Sequence, residues 1–142
     1  FLTSKAAKEW VQPALKLNNV DKTMSAPVTV IIAYDVAFWQ YAERMFPQNP
    51  AVQLAFKDNP AGAETAAFRN GSLQGAYFIV AARAVGLDCG PMSGFDNTMV
   101  DEAFFAETMF RSNFLCNIGY GDASKTFKRL PRLDFDVACQ VL

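Results

Sequence analysis

The sequence predicts one domain, residues 1–142, that mixes helix and strand, and three observations carry that expectation. A β-branched run from Val28 to Tyr34 follows Pro27 and stops at Asp35. A second apolar run, Ser112 to Tyr120, leaves at Gly119 and Gly121. Between them, a stretch from about Glu64 to Val85 carries apolar residues at helical spacing. At 142 residues a single core can bury most of the unfolded chain's surface, so no second domain is expected.

Taken in order, Thr3 or Ser4 caps a short helix through Lys5 to Val11, and Pro13 restricts its continuation. The Val28–Tyr34 strand is almost continuously apolar, which suggests cover on both faces. Val36 to Phe46 has helical composition and ends at Pro47 and Pro50. Residues 47–62 are punctuated by Pro, Asn and Gly and are expected to be partly loop.

The Glu64–Val85 helix is expected to bury the stripe Phe68, Leu73, Ala76, Tyr77, Val80, Ala81 and Ala84, with Gly86 as its stop. Its second half, Ala76 to Ala82, is apolar on every side, which predicts a central, buried helix. A further helix begins near Asp96 or Asn97 and runs through Met99 to Phe105.

Composition removes several function classes. With 51% hydrophobic and 19% charged residues the chain is globular, and its longest apolar run is far too short to span a bilayer. A net charge of -1 argues against neutralising a nucleic-acid backbone as its main work. Cys89, Cys116 and Cys139 are odd in number and widely spaced, which predicts reduced thiols, a cytoplasmic protein and no zinc site. The chain lacks histidine, which removes the commonest general base and the commonest metal ligand. Phe1 is preceded by no initiator Met, as expected of a fragment or a processed chain.

Two segments could carry chemistry. In Asp88–Phe95, two glycines and a proline fix an unusual backbone path; the segment reads either as a plain turn or as a place where a flat ligand meets the main chain. In Lys125–Arg132, four of the chain's 13 basic residues fall within eight positions, suited to a phosphate or else to a solvated strip. Gly71–Gly75 and Gly119–Gly121 complete no nucleotide fingerprint. Glu43, Glu64, Asp96, Asp101, Glu102 and Glu107 are better read as caps and surface positions than as a catalytic pair, and Tyr34, Tyr77 and Tyr120 as core filling.

Taken together, Glu64–Tyr77, Gly86-Leu-Asp-Cys-Gly-Pro-Met-Ser-Gly-Phe-Asp96, Asn117-Ile-Gly-Tyr-Gly-Asp122 and Arg129-Leu-Pro-Arg-Leu133 resemble the FMN-dependent nitroreductase family. Thr23-Met-Ser-Ala-Pro-Val-Thr29 belongs to the same resemblance, which extends over essentially the whole chain. The Gly-Pro-Met-Ser-Gly-Phe-Asp segment is most similar to the malonic semialdehyde reductases of pyrimidine degradation.

The resemblance implies an α+β fold, a mostly antiparallel sheet wrapped by helices, built as an intertwined homodimer with FMN at the interface. It implies no catalytic side chain: the flavin does the chemistry, in ping-pong exchange between NADH or NADPH and a small-molecule electron acceptor. Cofactor contacts would come from Pro91, Met92, Ser93 and Gly94, whose main chain faces the flavin N5, and from Lys125 and Arg129 at the phosphate. The implied acceptor is malonic semialdehyde, with nitroaromatic or quinone reduction as the alternative within the family.

In the family an Arg- and Ser-containing segment and a Ser-x-Asn loop also hold FMN. Both would precede Phe1, so the opening segment is read as missing, with Phe1-Leu2 as the end of a strand. A polypeptide beginning at Phe1 is expected to bind FMN weakly or not at all. A reading of another class is a non-catalytic interaction module using Phe38, Trp39, Tyr41 and Phe46 as its partner surface.

Overall fold

The computed structural model describes residues 1–142. Helix α1 (Lys5–Val11) starts where Ser4 Oγ accepts the Ala7 N–H at 3.1 Å, so Ser4 is the cap used. Pro13 then tightens the chain into a 3₁₀ turn, Gln12–Ala14.

Helix α2 (Leu17–Ser25) lies outside every element the sequence led us to expect. Its first residues include Asn18 and Asn19, poor helix formers, and its N-cap Lys16 makes no side-chain capping bond. Tertiary contacts hold it instead. The buried ammonium of Lys8 donates to the Thr23, Met24 and Ala26 carbonyls at 3.3, 2.8 and 2.5 Å, at the helix end where the dipole favours a cation.

Strands β1 (Val28–Asp35), β2 (Asp88–Met92) and β3 (Phe110–Gly119) form an antiparallel sheet in the order β1-β3-β2. Leu2 bridges Thr29 on the free edge of β1. The expected turn at Asp88–Phe95 is therefore partly strand. Gly90 and Pro91 are tolerated because β2 is an edge strand, where a missing N–H breaks no inner ladder. One residue, Asn113, bulges from β3 where the register with β1 shifts between Ile32 and Ala33, and its amide reaches Ser72 Oγ at 2.9 Å.

Both faces of the sheet are covered, as the apolar β1 run suggested. On one side Leu2, Val11, Ala14, Leu15, Met92, Phe95, Val100 and Leu115 form the core with α1, α2 and α6 (Asn97–Phe105). Asp96 Oδ1 caps α6 by accepting the Met99 N–H at 3.1 Å.

On the other side lies α5 (Pro60–Ala84), which begins earlier than expected because Asn59 caps it and Pro60 occupies its first turn. Gly86, at φ +87°, ends it. The face that meets the sheet is a ridge of small residues, Ala63, Ala67, Gly71 and Gly75, four apart, with Ala82 further on. A Cβ on Gly71 would come within 2.9 Å of Tyr34 Cβ, so glycine sets how closely helix and sheet approach.

This corrects the expected stripe. Phe68, Leu73, Tyr77 and Val80 are 49%, 57%, 77% and 65% exposed in the chain, so these larger apolar residues of α5 face outward, while Phe78 and Ile79 are half-buried. Tyr77 and Tyr120 are likewise surface residues here, not core filling, while Tyr34 is half-buried against Phe68.

Between β1 and α5, the helix expected at Val36–Phe46 breaks into a 3₁₀ turn (Phe38–Tyr41) and α3 (Ala42–Met45). Asp35 Oδ1 caps the Ala37 N–H at 2.8 Å, and no side-chain cap starts a longer helix. Within the expected loop, α4 (Ala51–Lys57) follows Pro50. After β3 the chain forms a 3₁₀ turn at Ala123–Lys125 and α7 (Phe135–Ala138), with every residue from Tyr120 to Leu142 exposed. No helix is long and apolar enough to cross a membrane.

Candidate functional site

Pro91, Met92, Ser93 and Gly94 close β2 and lead towards α6. Met92 is in the core, opposite Leu115 of β3, and its sulfur accepts the Thr23 hydroxyl of α2 at 3.6 Å. Phe95 is buried and bridges Leu15. The segment is thus fixed at both ends.

Between these anchors, the Gly94 carbonyl accepts two bonds, from Lys16 N at 2.9 Å and from Asn19 Nδ2 at 2.8 Å. The N–H groups of Ser93 and Gly94 have no partner within the fold. Ser93 is exposed and Gly94 half-buried, so two main-chain donors without an internal partner lie in a surface segment anchored on both sides. Pro91, Met92 and Ser93 line a shallow cleft of about 330 Å³ whose other wall includes Ala76 and Ile79 of α5 and Phe114 of β3. The arrangement can accept a hydrogen-bonding edge of a flat, partly apolar ligand.

Lys125 and Arg129 are exposed, and their side chains enter no hydrogen bond or salt bridge. The structure does not bring them to Ser93. The tail departs from the Gly119 end of β3, which pairs with Asp88, whereas Ser93 follows Met92 at the other end of β2. The two ends of that strand are about 13–17 Å apart. The exit is tied down: Asp88 accepts the Gly121 N–H at 2.8 Å and pairs with Arg83, and these two contacts hold its carboxyl below the usual range.

Of the acids weighed in the sequence, Asp96 is a cap and Asp101 accepts the Ser112 N–H of β3 at 2.7 Å, so both have structural roles. No cluster of three or more potential metal ligands exists. The residues that sequence reasoning missed are Lys16, Asn19 and Thr23 of the α2 region, which act on the segment from some 70 residues away. The signal that could have exposed α2 is Leu17, Val20 and Met24 at helical spacing.

A larger cleft, about 920 Å³, lies between β1, the Phe38–Met45 region, α5 and α6, and is lined by Phe38, Tyr41, Phe46, Phe105 and Phe110 among others. Three of the four aromatics considered as a partner surface therefore face this cleft, Trp39 being the exception. Tyr34 also lines it; partial burial, followed by the charges of Glu64 and Asp101, raises the pKa of its hydroxyl.

The architecture has close solved counterparts. A candidate nitroreductase of Exiguobacterium sibiricum, crystallised in complex with FMN, superposes with a TM-score of 0.86 at 17% identity, covering 99% of this chain and 74% of that one. The fold is nitroreductase-like: α+β, with a small antiparallel sheet and seven α-helices. No protein-family model matches the chain.

Its sequence relatives are closer. A candidate NADH dehydrogenase/NAD(P)H nitroreductase of Cupriavidus pinatubonensis is 52% identical over 143 residues, covering 99% of this chain and 73% of the relative. One of the same description from Ralstonia pickettii is 55% identical over 141 residues, covering 98% and 72%. The chain belongs to the NADH dehydrogenase/NAD(P)H nitroreductase family.

Proposed function

We propose that the chain is a nitroreductase-like domain of an NAD(P)H-dependent oxidoreductase that holds FMN at the Pro91–Gly94 segment and reduces a small carbonyl, malonic semialdehyde to 3-hydroxypropionate. The observation that carries the reading is the pair of unpartnered N–H groups at Ser93 and Gly94, held between fixed neighbours. Family membership supports it, as does the FMN in the Exiguobacterium structure. The choice of acceptor rests on the Gly90-Pro-Met-Ser-Gly-Phe-Asp96 resemblance.

The residues present fit the cofactor. The Ser93 and Gly94 N–H groups have no partner within the fold, and the Lys125 and Arg129 side chains are exposed and unengaged, so donors for a ring edge and cations for a phosphate are both available. Bound FMN would supply hydride acceptance and donation at its N5. The Ser93 and Gly94 N–H groups would hydrogen-bond that edge of the ring, at no reorganisation cost because the backbone is already fixed. Arg129 would take the phosphate in a forked contact and Lys125 as a point charge. Pro91 and the α5 wall of the cleft would exclude water from one side. Nicotinamide and acceptor would occupy the same pocket in turn, and the proton that completes the hydroxyl of the reduced carbonyl would come from water, so no histidine is required.

The outward apolar face of α5 and the exposed apolar residues after Gly119 support a homodimer in which two copies complete the site, and the three free cysteines favour the cytoplasm. A second reading keeps the cofactor and changes the acceptor to a nitroaromatic or a quinone, and the shared name of the relatives favours it. Initial rates of NADH and NADPH oxidation by the natural-length protein, with malonic semialdehyde against a nitroaromatic and a benzoquinone, test the choice. A higher kcat/KM for the semialdehyde supports the first reading, and a higher value for either other acceptor supports the second.

A further inference from the structure

We infer that Asn19 is a positioning residue for the two main-chain donors at Ser93 and Gly94, an inference that rests on the FMN reading above. Asn19 lies in the first turn of α2, is 5% exposed, and spends its amide on one acceptor 75 residues away, the Gly94 carbonyl. Lys16 N donates to the same oxygen, so the start of α2 grips it with two donors. The fit is mutual: a Cβ at Gly94 would lie 2.3 Å from Asn19 Nδ2, so only glycine allows the amide this near.

Fixing that carbonyl fixes the segment just beyond the donors. On their near side Met92 is held by the β3 ladder and by the Thr23 hydroxyl, and on their far side Asp96 N donates to Ala14 O at 2.8 Å. The free N–H groups therefore sit in a span whose ends are set by α1, α2 and β3, and Asn19 is the one side chain that bonds within it. Without that bond only Lys16 N holds the Gly94 carbonyl, and the two N–H groups before it are placed less firmly. Asn19 would touch neither flavin nor substrate.

The test uses the natural-length protein and its Asn19→Ala, Asn19→Asp and Lys16→Pro variants. Lys16 has φ −62° and ψ 145°, which proline adopts, but its ring carbon would replace the N–H that reaches Gly94 O at 2.9 Å, so Lys16→Pro both deletes the second donor and displaces that carbonyl. FMN dissociation constants come from flavin fluorescence quenching, with kcat and KM from NAD(P)H oxidation.

Asn19→Ala and Lys16→Pro should each weaken FMN binding by about tenfold, with kcat reduced and KM for NAD(P)H within about twofold of wild type. Asn19→Asp should match Asn19→Ala at neutral pH and recover as pH falls, because a protonated carboxyl again donates to the Gly94 carbonyl. If Asn19→Ala does not fold, FMN binding by Asn19→Asp decides, and an affinity that does not recover as pH falls overturns the inference. Wild-type FMN affinity in the folded variants overturns the inference and leaves the FMN reading standing. Absence of FMN binding by the wild-type protein overturns both.

Discussion

Asn117 of β3 accepts the Thr29 hydroxyl of β1 at 2.7 Å, while its amide donates to Lys22 O at 3.2 Å and Thr23 Oγ1 at 3.3 Å. Both threonines are fully buried, so one side chain satisfies polar groups from β1 and α2 that have no access to water. Asn117→Leu should cost about 1–3 kcal/mol in urea denaturation, since it strands the buried Thr29 hydroxyl. Adding Thr29→Val should recover part of that loss; strict additivity of the two changes would count against the network.

Gly71→Ala sets helix propensity against packing. Alanine favours an isolated helix by up to about 1 kcal/mol. Here its Cβ would meet Tyr34 Cβ at 2.9 Å, close to a β1 backbone that cannot easily retreat. Overpacking should dominate, leaving the variant less stable by about 1–2 kcal/mol in chemical denaturation. A stabilised Gly71→Ala would mean that α5 is not seated on the sheet through its small-residue ridge.

The thiols should separate by burial. Cys116 is buried on β3, and burial first, then the neighbouring Cys89, pushes its pKa up from 9.0 to about 11. Cys139 is exposed. At pH 8 a chromogenic disulfide reagent should modify Cys139 rapidly and Cys116 only after unfolding. Since the folded state holds the Cys116 proton more tightly, its contribution to stability is complete below pH 9 and is lost as pH rises through about 11. The alkaline limb of a pH–stability curve should therefore flatten in Cys116→Ala.

The basic tail offers a variant that separates binding from folding. Arg129 is exposed and makes no bond within the chain, so Arg129→Ala should leave the melting temperature unchanged. If its guanidinium holds the FMN phosphate, FMN affinity should fall by about 10–100-fold, the loss of one charge-assisted contact of about 1.5–3 kcal/mol. Titration calorimetry with FMN measures it, and an unchanged dissociation constant would remove Arg129 from the site.

Local signals were legible in the sequence, and long-range ones were not. A cap at Thr3 or Ser4, another at Asp96 or Asn97, a strand from Val28 to Tyr34 and the Gly86 stop are each written in a few adjacent residues, and the structure uses Ser4 and Asp96. Helix α2 starts without a capping side chain and is secured by Lys8 and Asn117, so its stability is not local. Strand β2 contains Gly90 and Pro91, which read as turn residues until β3 supplies a partner. In α5 two stripes compete, and periodicity alone favoured the larger side chains, although close seating on the sheet selects the Ala/Gly ridge. For the candidate site, Pro91 to Gly94 could be singled out by motif, whereas Asn19 is joined to it only by the fold.

The central claim, that this family member works through FMN held at the Ser93–Gly94 donors, is tested most directly by adding FMN to the flavin-free, natural-length protein and recording its visible spectrum, then adding NADH or NADPH without oxygen. The account predicts saturable binding with a shifted flavin band, followed by bleaching of that band by at least one of the two nucleotides. A protein that folds and leaves the FMN spectrum unchanged would contradict it.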